Sequence, residues 1–223
     1  MNFGSGYAGL GGTASYGELF ERLSSLTDPD GPRASKDRFT PLAEVRPTSG
    51  RRGGRGGGGG KGGKTSHLHP SAELRELVGI VGEIHAYRFL RKEFGEDVTS
   101  DAWVSEIRLK VLPLVAGEQD DTSDGHGFDF RFRYNRKTWC VEVKATSGDD
   151  TQFDLGSTEI NAATRLARKR GWRWRILRIR SALSERPELD WLPNPFEEGF
   201  GKHFRLRRGG MMVSYAHKKA RTG

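Results

Sequence analysis

Apolar and polar residues alternate over Phe128–Tyr134 and again over Trp139–Lys144. Period-two alternation marks strands with two unlike faces. Phe128, Phe130, Phe132 and Tyr134 share one side of the first run, opposite Asp129, Arg131 and Arg133. Trp139, Val141 and Val143 share one side of the second, opposite Cys140, Glu142 and Lys144. The short gap between the runs predicts a β-hairpin. A slip of one residue would turn every side chain to the wrong face, so only registers matching apolar to apolar survive. Two do. A two-residue loop, Asn135-Arg136, sets Phe130 against Val141 and Asp129 against Glu142, but its turn type favours a glycine this chain lacks. A four-residue loop, Asn135–Thr138, sets Asp129 against Lys144.

A different period governs Ser71–Phe94. Leu74, Leu77, Val78, Val81 and Ile84 follow helical spacing. A second face holds Gly79, Gly82, Glu83, Ala86 and Leu90. Glycine inside a helix costs about 1 kcal/mol relative to alanine, so two of them one turn apart predict a close backbone approach. Glu83, in the middle of that face, needs a partner. The candidates are a cation, Lys144, the helix's own Arg88 or Lys92, or simply water. A third helix signal starts after Gly156, with Ser157 or Thr158 as cap, Ile160, Ala163, Leu166 and Ala167 as its buried stripe, and Gly171 as its stop past Arg170. Strands are predicted at Ala102–Leu109, ending at Gly156, and at Trp172–Ile179. The arginines of this last strand suit either a DNA-facing surface or the wet face of a sheet. A closing hairpin is predicted around Gly209-Gly210.

Two opposed carboxylates with β-carbons about 5 Å apart repel unless a cation or a proton intervenes. Asp129 and Glu142 are therefore candidate ligands for a hard cation such as Mg²⁺, and Lys144 a candidate for charge stabilisation. Alone, the three residues equally fit the wet face of an ordinary hairpin. The N-terminus of the Ser157 helix offers free N–H groups to a phosphate. Ser157, Glu159, Arg165 and Arg168 are candidate substrate contacts on that helix, which otherwise reads as a capped amphipathic one. Glu118, Asp120, Asp121, Asp124 and His126 lie in a loop before the hairpin, either a solvated excursion or the source of a further ligand.

The ordered set Val81-Gly82-Glu83, Trp103-Val104-Ser105, Phe128-Asp129, Val141-Glu142-Val143-Lys144-Ala145-Thr146, Phe153-Asp154-Leu155 and Ser157-Thr158-Glu159 resembles the NO VEIN C-terminal-like domain. That domain looks like a member of the PD-(D/E)XK nuclease superfamily. The resemblance spans roughly residues 71–179. It implies an α/β, restriction-endonuclease-like fold, a mixed central sheet flanked by helices, and Mg²⁺-dependent (or Mn²⁺-dependent) cleavage of nucleic acid, DNA ahead of RNA. By position, Asp129, Glu142 and Glu83 match the metal ligands and Lys144 the catalytic lysine. Phe128 stands where the superfamily has its proline. The resemblance further implies a role in restriction or defence, an associated ATPase or helicase, and a homodimer where both strands are cut. Fold alone does not establish activity. A nucleic-acid-binding module without turnover, or a protein-interaction module with basic arms, are the alternatives.

Composition bears on partners and organisation. The chain has 223 residues and a net charge of +8, a balance that favours polyanions with salt-sensitive affinity. One cysteine, Cys140, allows no internal disulfide and suits a reducing cytoplasm. It reads as a packing residue rather than a nucleophile. No apolar run reaches transmembrane length, and no signal-peptide core is evident at the start. Residues 1–70 read as a flexible region with a short amphipathic helix at about 16–26 and a Gly/Arg-rich linker at 50–66. Residues 71–216 read as the nuclease-like domain, and 217–223 as a basic tail. Gly58–Thr65 satisfies the spacing of a phosphate loop, but no buried strand feeds it and no helix follows, so it reads as a linker. His67 and His69 read as loop residues.

Overall fold

The computed structural model describes residues 18, 20, 21, 71–112, 120–184, 186–207 and 211–215. The Gly/Arg-rich linker, the phosphate-loop-like run, His67, His69, Glu118 and the basic tail lie outside these. Of the expected helix at 16–26, Glu18, Phe20 and Glu21 are described and helical, and the Phe20 ring sits 6.1 Å from that of Tyr87.

Helix α1 is Ala72–Phe94. Ser71 caps it, accepting the Leu74 N–H at 3.1 Å. From Val78 to Leu90 it is buried on almost every side, as an all-round apolar helix must be. Gly82 explains its approach to the sheet. A Cβ on Gly82 would lie 2.4 Å from the Cβ of Ala145, so only glycine admits this contact. Gly79 is different, since a Cβ there would meet Ile107 at an ordinary 3.9 Å. The close approach expected of both glycines holds for one.

The hairpin forms with the two-residue loop. Strand β1 is Phe130–Tyr134 and β2 is Lys137–Ala145, with Phe130 opposite Val141 and Phe132 opposite Trp139. Asn135 and Arg136 take the left-handed conformation, φ 48° and 60°. The favoured hairpin turn needs both residues there, glycine or not. Strand β3, Gln152–Leu155, and helix α2, Ser157–Ala167, then lead to β4, Trp172–Arg180, which pairs parallel to β2. Strand β5, Glu188–Leu192, closes a mixed sheet of order β1-β2-β4-β5. Strands β6, Arg205–Arg207, and β7, Met211–Ser214, form the expected closing hairpin, and β3 joins it in a second, three-stranded antiparallel sheet.

Helices cover both faces of the mixed sheet. On the α1 face, Phe94, Phe132, Trp139, Val143, Ile179 and Trp191 share one core. On the α2 face, Cys140, Trp174, Ile176, Leu155, Ala163 and Leu166 share another. The hairpin's charged side is therefore interior, with Glu142 only 4% exposed. Gly127, at φ +75°, seals the α2 side. A Cβ there would lie 2.5 Å from the Thr158 carbonyl oxygen, and its own carbonyl accepts the Trp174 indole N–H at 3.0 Å.

Three expectations are corrected. Ala102–Leu109 is not a strand. Trp103 makes a single bridge to Phe130, then a short helical turn runs over Ile107–Val111. The chain leaves the sheet because the Val104 and Ser105 N–H groups both turn to one acceptor, the Asp129 carbonyl. Helix α2 is capped at Gly156 rather than at Ser157 or Thr158, because Glu159 reaches back to the Gly156 N–H at 2.9 Å. It ends at Ala167, short of Arg170. Beyond the half-buried Arg173, the β4 arginines form neither a DNA-facing nor a wet surface. Arg175, Arg178 and Arg180 are buried and spent on internal acceptors, among them Glu197, the Asp150 and Gln152 carbonyls, and Asp190. Among the described residues no helix is long and apolar enough to cross a membrane.

Candidate active site

Asp129 lies one residue before β1, and the register carried one step past Phe130–Val141 sets it opposite Glu142. Its N–H donates to the Val141 carbonyl at 2.9 Å. One of its carboxylate oxygens accepts the Val143 N–H at 2.7 Å. Lys144, two residues beyond Glu142 on the same strand, projects to the same face. Its Nζ lies 2.9 Å from Glu142 Oε1 and 2.9 Å from Glu159 Oε2. Glu159 belongs to the first turn of α2, so the lysine joins the central strand to that helix. The side chain of Glu142 is 5% exposed, against 19% for both Lys144 and Glu159.

Glu83 reaches the same region from the other helix. It is buried on α1, where its carboxylate accepts the Trp103 indole N–H at 2.7 Å and the Ser105 hydroxyl. Ser105 also gives its N–H to the Asp129 carbonyl. The Trp103–Ser105 segment thus ties Glu83 to the start of the hairpin. Neither Arg88 nor Lys92 is the bonded partner of Glu83; a tryptophan and a serine are.

The electrostatics follow from burial and crowding. Burial pushes the Glu83 carboxyl up to about 8; Ser105 and Trp103 hold it down, and repulsion from Glu142 and Asp124 adds to the rise. Asp129 is also held well above the carboxylate range, first by burial, then by Glu83, against the pull of the Val143 N–H and Lys144. Glu142 rises for the same reason, burial first and Asp129 second, with Lys144 opposing. Burial works against the charge on Lys144, but Glu142 and Glu159 outweigh it and raise its pKa. The cluster therefore gathers more carboxyls than its one lysine can neutralise.

The structure brings Asp129, Glu142, Lys144 and Glu159 into one ionic group, with Glu83 in electrostatic reach from the α1 side. Ser157 and Arg168 are exposed at opposite ends of α2. Arg165 lies on the exposed side of α2 above Cys140. In the preceding loop, Asp124 accepts the Glu106 N–H at 3.1 Å, and Asp121 pairs with Arg131. Burial raises the Cys140 thiol to about 12, so it stays protonated and packs. The bonding partners Trp103 and Ser105 carried a sequence signal, since alternate residues of an extended segment share a side.

Among the described residues no three His, Cys, Asp or Glu side chains form a ready metal-holding group. The donor chemistry nevertheless suits a hard divalent cation: carboxyl oxygens from facing positions of the hairpin, with pKa values raised first by burial and then by one another. Asp129 and Glu142 are the pair that would hold it.

Residues 83–191 match the family model described as Protein NO VEIN, C-terminal. That stretch of the chain is similar to the NO VEIN C-terminal domain. The match opens at Glu83 and takes in Trp103, Asp129, Glu142, Lys144 and Glu159, so the whole ionic cluster falls within the matched stretch. No curated protein matches the chain, and no solved structure does.

Proposed function

We propose that the NO VEIN-like domain hydrolyses phosphodiester bonds in nucleic acid, DNA ahead of RNA, with a restriction-endonuclease-like arrangement and Mg²⁺ (or Mn²⁺) as its metal. The observation that carries this reading is the buried excess of carboxylates around a single lysine. Such an arrangement is costly for a fold that gains nothing from it, and perturbed ionisable groups concentrate at functional sites. Asp129 and Glu142 hold the metal, with Glu83 completing the acidic set from α1. When bound there, a divalent cation polarises a phosphoryl oxygen and lowers the pKa of an attacking water. Lys144 sets its charge against the oxygens on which negative charge develops. Glu159 holds the lysine in place. Glu83, with a pKa of about 8, carries a proton at neutral pH and is suited to exchange one.

The test is plasmid and oligonucleotide cleavage with Mg²⁺, with Mn²⁺ and with chelator, for the wild type, Asp129→Ala and Lys144→Ala. Metal-dependent cleavage lost in both variants supports the reading. Equal activity in the variants overturns the assignment. One observation favours a second reading, a module that binds nucleic acid without cutting it: Lys144 is already engaged by two carboxylates. Salt-sensitive binding without cleavage under any divalent ion would select it. A homodimer, a partner ATPase or helicase, and a role in restriction or defence belong with the first reading.

A further inference from the structure

A pocket of about 320 Å³ opens on the α2 face of the sheet, and none of the clustered carboxylates lines it. Its floor includes the buried Phe128, and its sides are His126 and Trp172. Arg131, Arg165 and Lys169 complete the lining. None of the lining residues is acidic. The three cations converge, since each acts electrostatically on the same buried atom, the Cys140 sulfur beneath them. Arg131 is held by Asp121, but among the described residues Arg165 and Lys169 pair with no carboxylate.

The aromatic groups are arranged as flat surfaces. The His126 ring stacks on Phe128, centroids 5.6 Å apart and planes 13° from parallel. Its Nε2 donates to the Asp121 carbonyl at 2.9 Å, which fixes the ring. Lys169 Nζ stands 3.6 Å from the centroid of the Trp172 ring, placing a positive charge against an indole face. A pocket with cations at its rim and fixed rings at its sides fits a ligand that is anionic at one end and flat at the other. Guanidinium groups bind phosphate oxygens well, and aromatic side chains stack on any base.

We propose that this pocket binds one nucleotide unit, its phosphate on Arg165, Lys169 and Arg131 and its base against Trp172 and His126. The proposal deepens the nucleic-acid reading above, but it stands on other side chains. Arg131 lies two residues beyond Asp129 on the same side of the strand, so the pocket adjoins the carboxylate cluster. Arg165 lies six residues past Glu159, about 9 Å further along the helix, and Lys169 just beyond the helix end. A unit held here therefore belongs to the same strand as a phosphate at Lys144, or is a free mononucleotide.

Equilibrium binding to the full chain in chelator separates this from cleavage. The probes are AMP, a 5′-phosphorylated oligothymidylate and inorganic phosphate. The expected result is binding of AMP or the oligonucleotide, weakened about tenfold by Arg165→Ala and by Lys169→Ala. Both positions are exposed, and unchanged circular dichroism will show that the variants fold. Lys144→Ala, which abolishes cleavage under the reading above, should keep this binding. Tighter binding of AMP assigns the pocket to free nucleotides, and tighter binding of the oligonucleotide assigns it to a strand; either supports the proposal. Inorganic phosphate bound as tightly as AMP overturns it, as does binding indifferent to both substitutions. Cleavage that depends on Lys144, with no nucleotide binding here, would overturn this proposal and leave the proposed function standing.

Discussion

The mixed sheet carries two groups of buried charge, and they are built on opposite plans. Around β4 and β5, Asp190 is fully buried, with Arg180 Nε at 2.8 Å and the Tyr215 hydroxyl donating to the same oxygen. Arg180 also meets Glu188, and Arg178 donates to the Asp150 and Gln152 carbonyls at 2.8 and 2.9 Å. Two arginines face two acids there, and Tyr215 stays protonated because burial and Asp190 raise its pKa. Around β2, by contrast, Asp129, Glu142 and Glu159 share one lysine, and Glu83 adds a further carboxyl beside Glu142. The first group ties β4, β5 and the chain end after β7 together and leaves little charge unmatched. The second crowds more carboxyls than one lysine can neutralise around a strand that needs none for packing. Under the proposed function, that imbalance marks a site for a cation or substrate rather than a structural network.

That contrast can be broken at several points. The largest effect is expected at the balanced group. Asp190→Asn removes the buried carboxylate of Arg180, leaving it only the half-exposed Glu188, and should cost about 3 kcal/mol of stability. Urea denaturation measures it, and the activity of the remaining folded protein should match the wild type. Lys144→Met should do the reverse at the acidic group. Metal-dependent cleavage should fall about 10²–10³-fold, the loss expected when one stabilising group is removed from the developing charge; initial rates of plasmid nicking read it.

The excess charge should also appear as a pH dependence. The folded-state pKa of Glu83 is raised from 4.5 to about 8, so its protonated form favours the folded state. Stability is then greatest below about pH 4.5 and is lost as pH rises towards 8, by a few kcal/mol, with Asp129 and Glu142 acting in the same direction. Thermal melts between pH 5 and 9 should show the decline, and Glu83→Gln should flatten it. A wild-type profile no steeper than that of the variant would remove the claim of excess charge. Added Mg²⁺ should restore stability at high pH.

Smaller effects sharpen the geometry. Gly82→Ala forces a Cβ to 2.4 Å from that of Ala145 and should cost about 1–3 kcal/mol, disturbing Glu83 in the process. Ala145→Gly in the same chain should recover most of it, which a merely helix-local effect would not allow. Arg136→Gly touches neither charge group. It relieves a left-handed φ of 60° and should stabilise by about 0.5–1 kcal/mol, with cleavage unchanged.

Much of this was legible along the chain. The alternation of Phe128–Tyr134 and Trp139–Lys144 specified the hairpin and narrowed it to two registers. The observed turn is the one whose residues had to enter the left-handed region without glycine, a cost that the aromatic packing of Phe132 and Trp139 against Phe94 and Trp191 outweighs. The periodicity of α1 was equally plain, but the use of its two glycines was not, because Gly79 and Gly82 differ only in what lies opposite them. The arginines of β4 read as a wet face because sequence shows alternation and not what covers a sheet.

By itself, the sequence determined whatever depends on neighbours within a few residues: strand alternation, the extent of α1, and the two registers that set Asp129 opposite Glu142 or Lys144. Tertiary structure decided the partners of charge: Trp103 and Ser105 on Glu83, Glu159 on Lys144, Asp190 on Arg180, and β7 beside β3. The reason is physical. Backbone geometry repeats over short intervals and leaves its period in the sequence, whereas the pairing of remote side chains depends on how helices seat on a sheet. That seating is set by close packing at contacts such as Gly82 on Ala145 and Gly127 on Thr158.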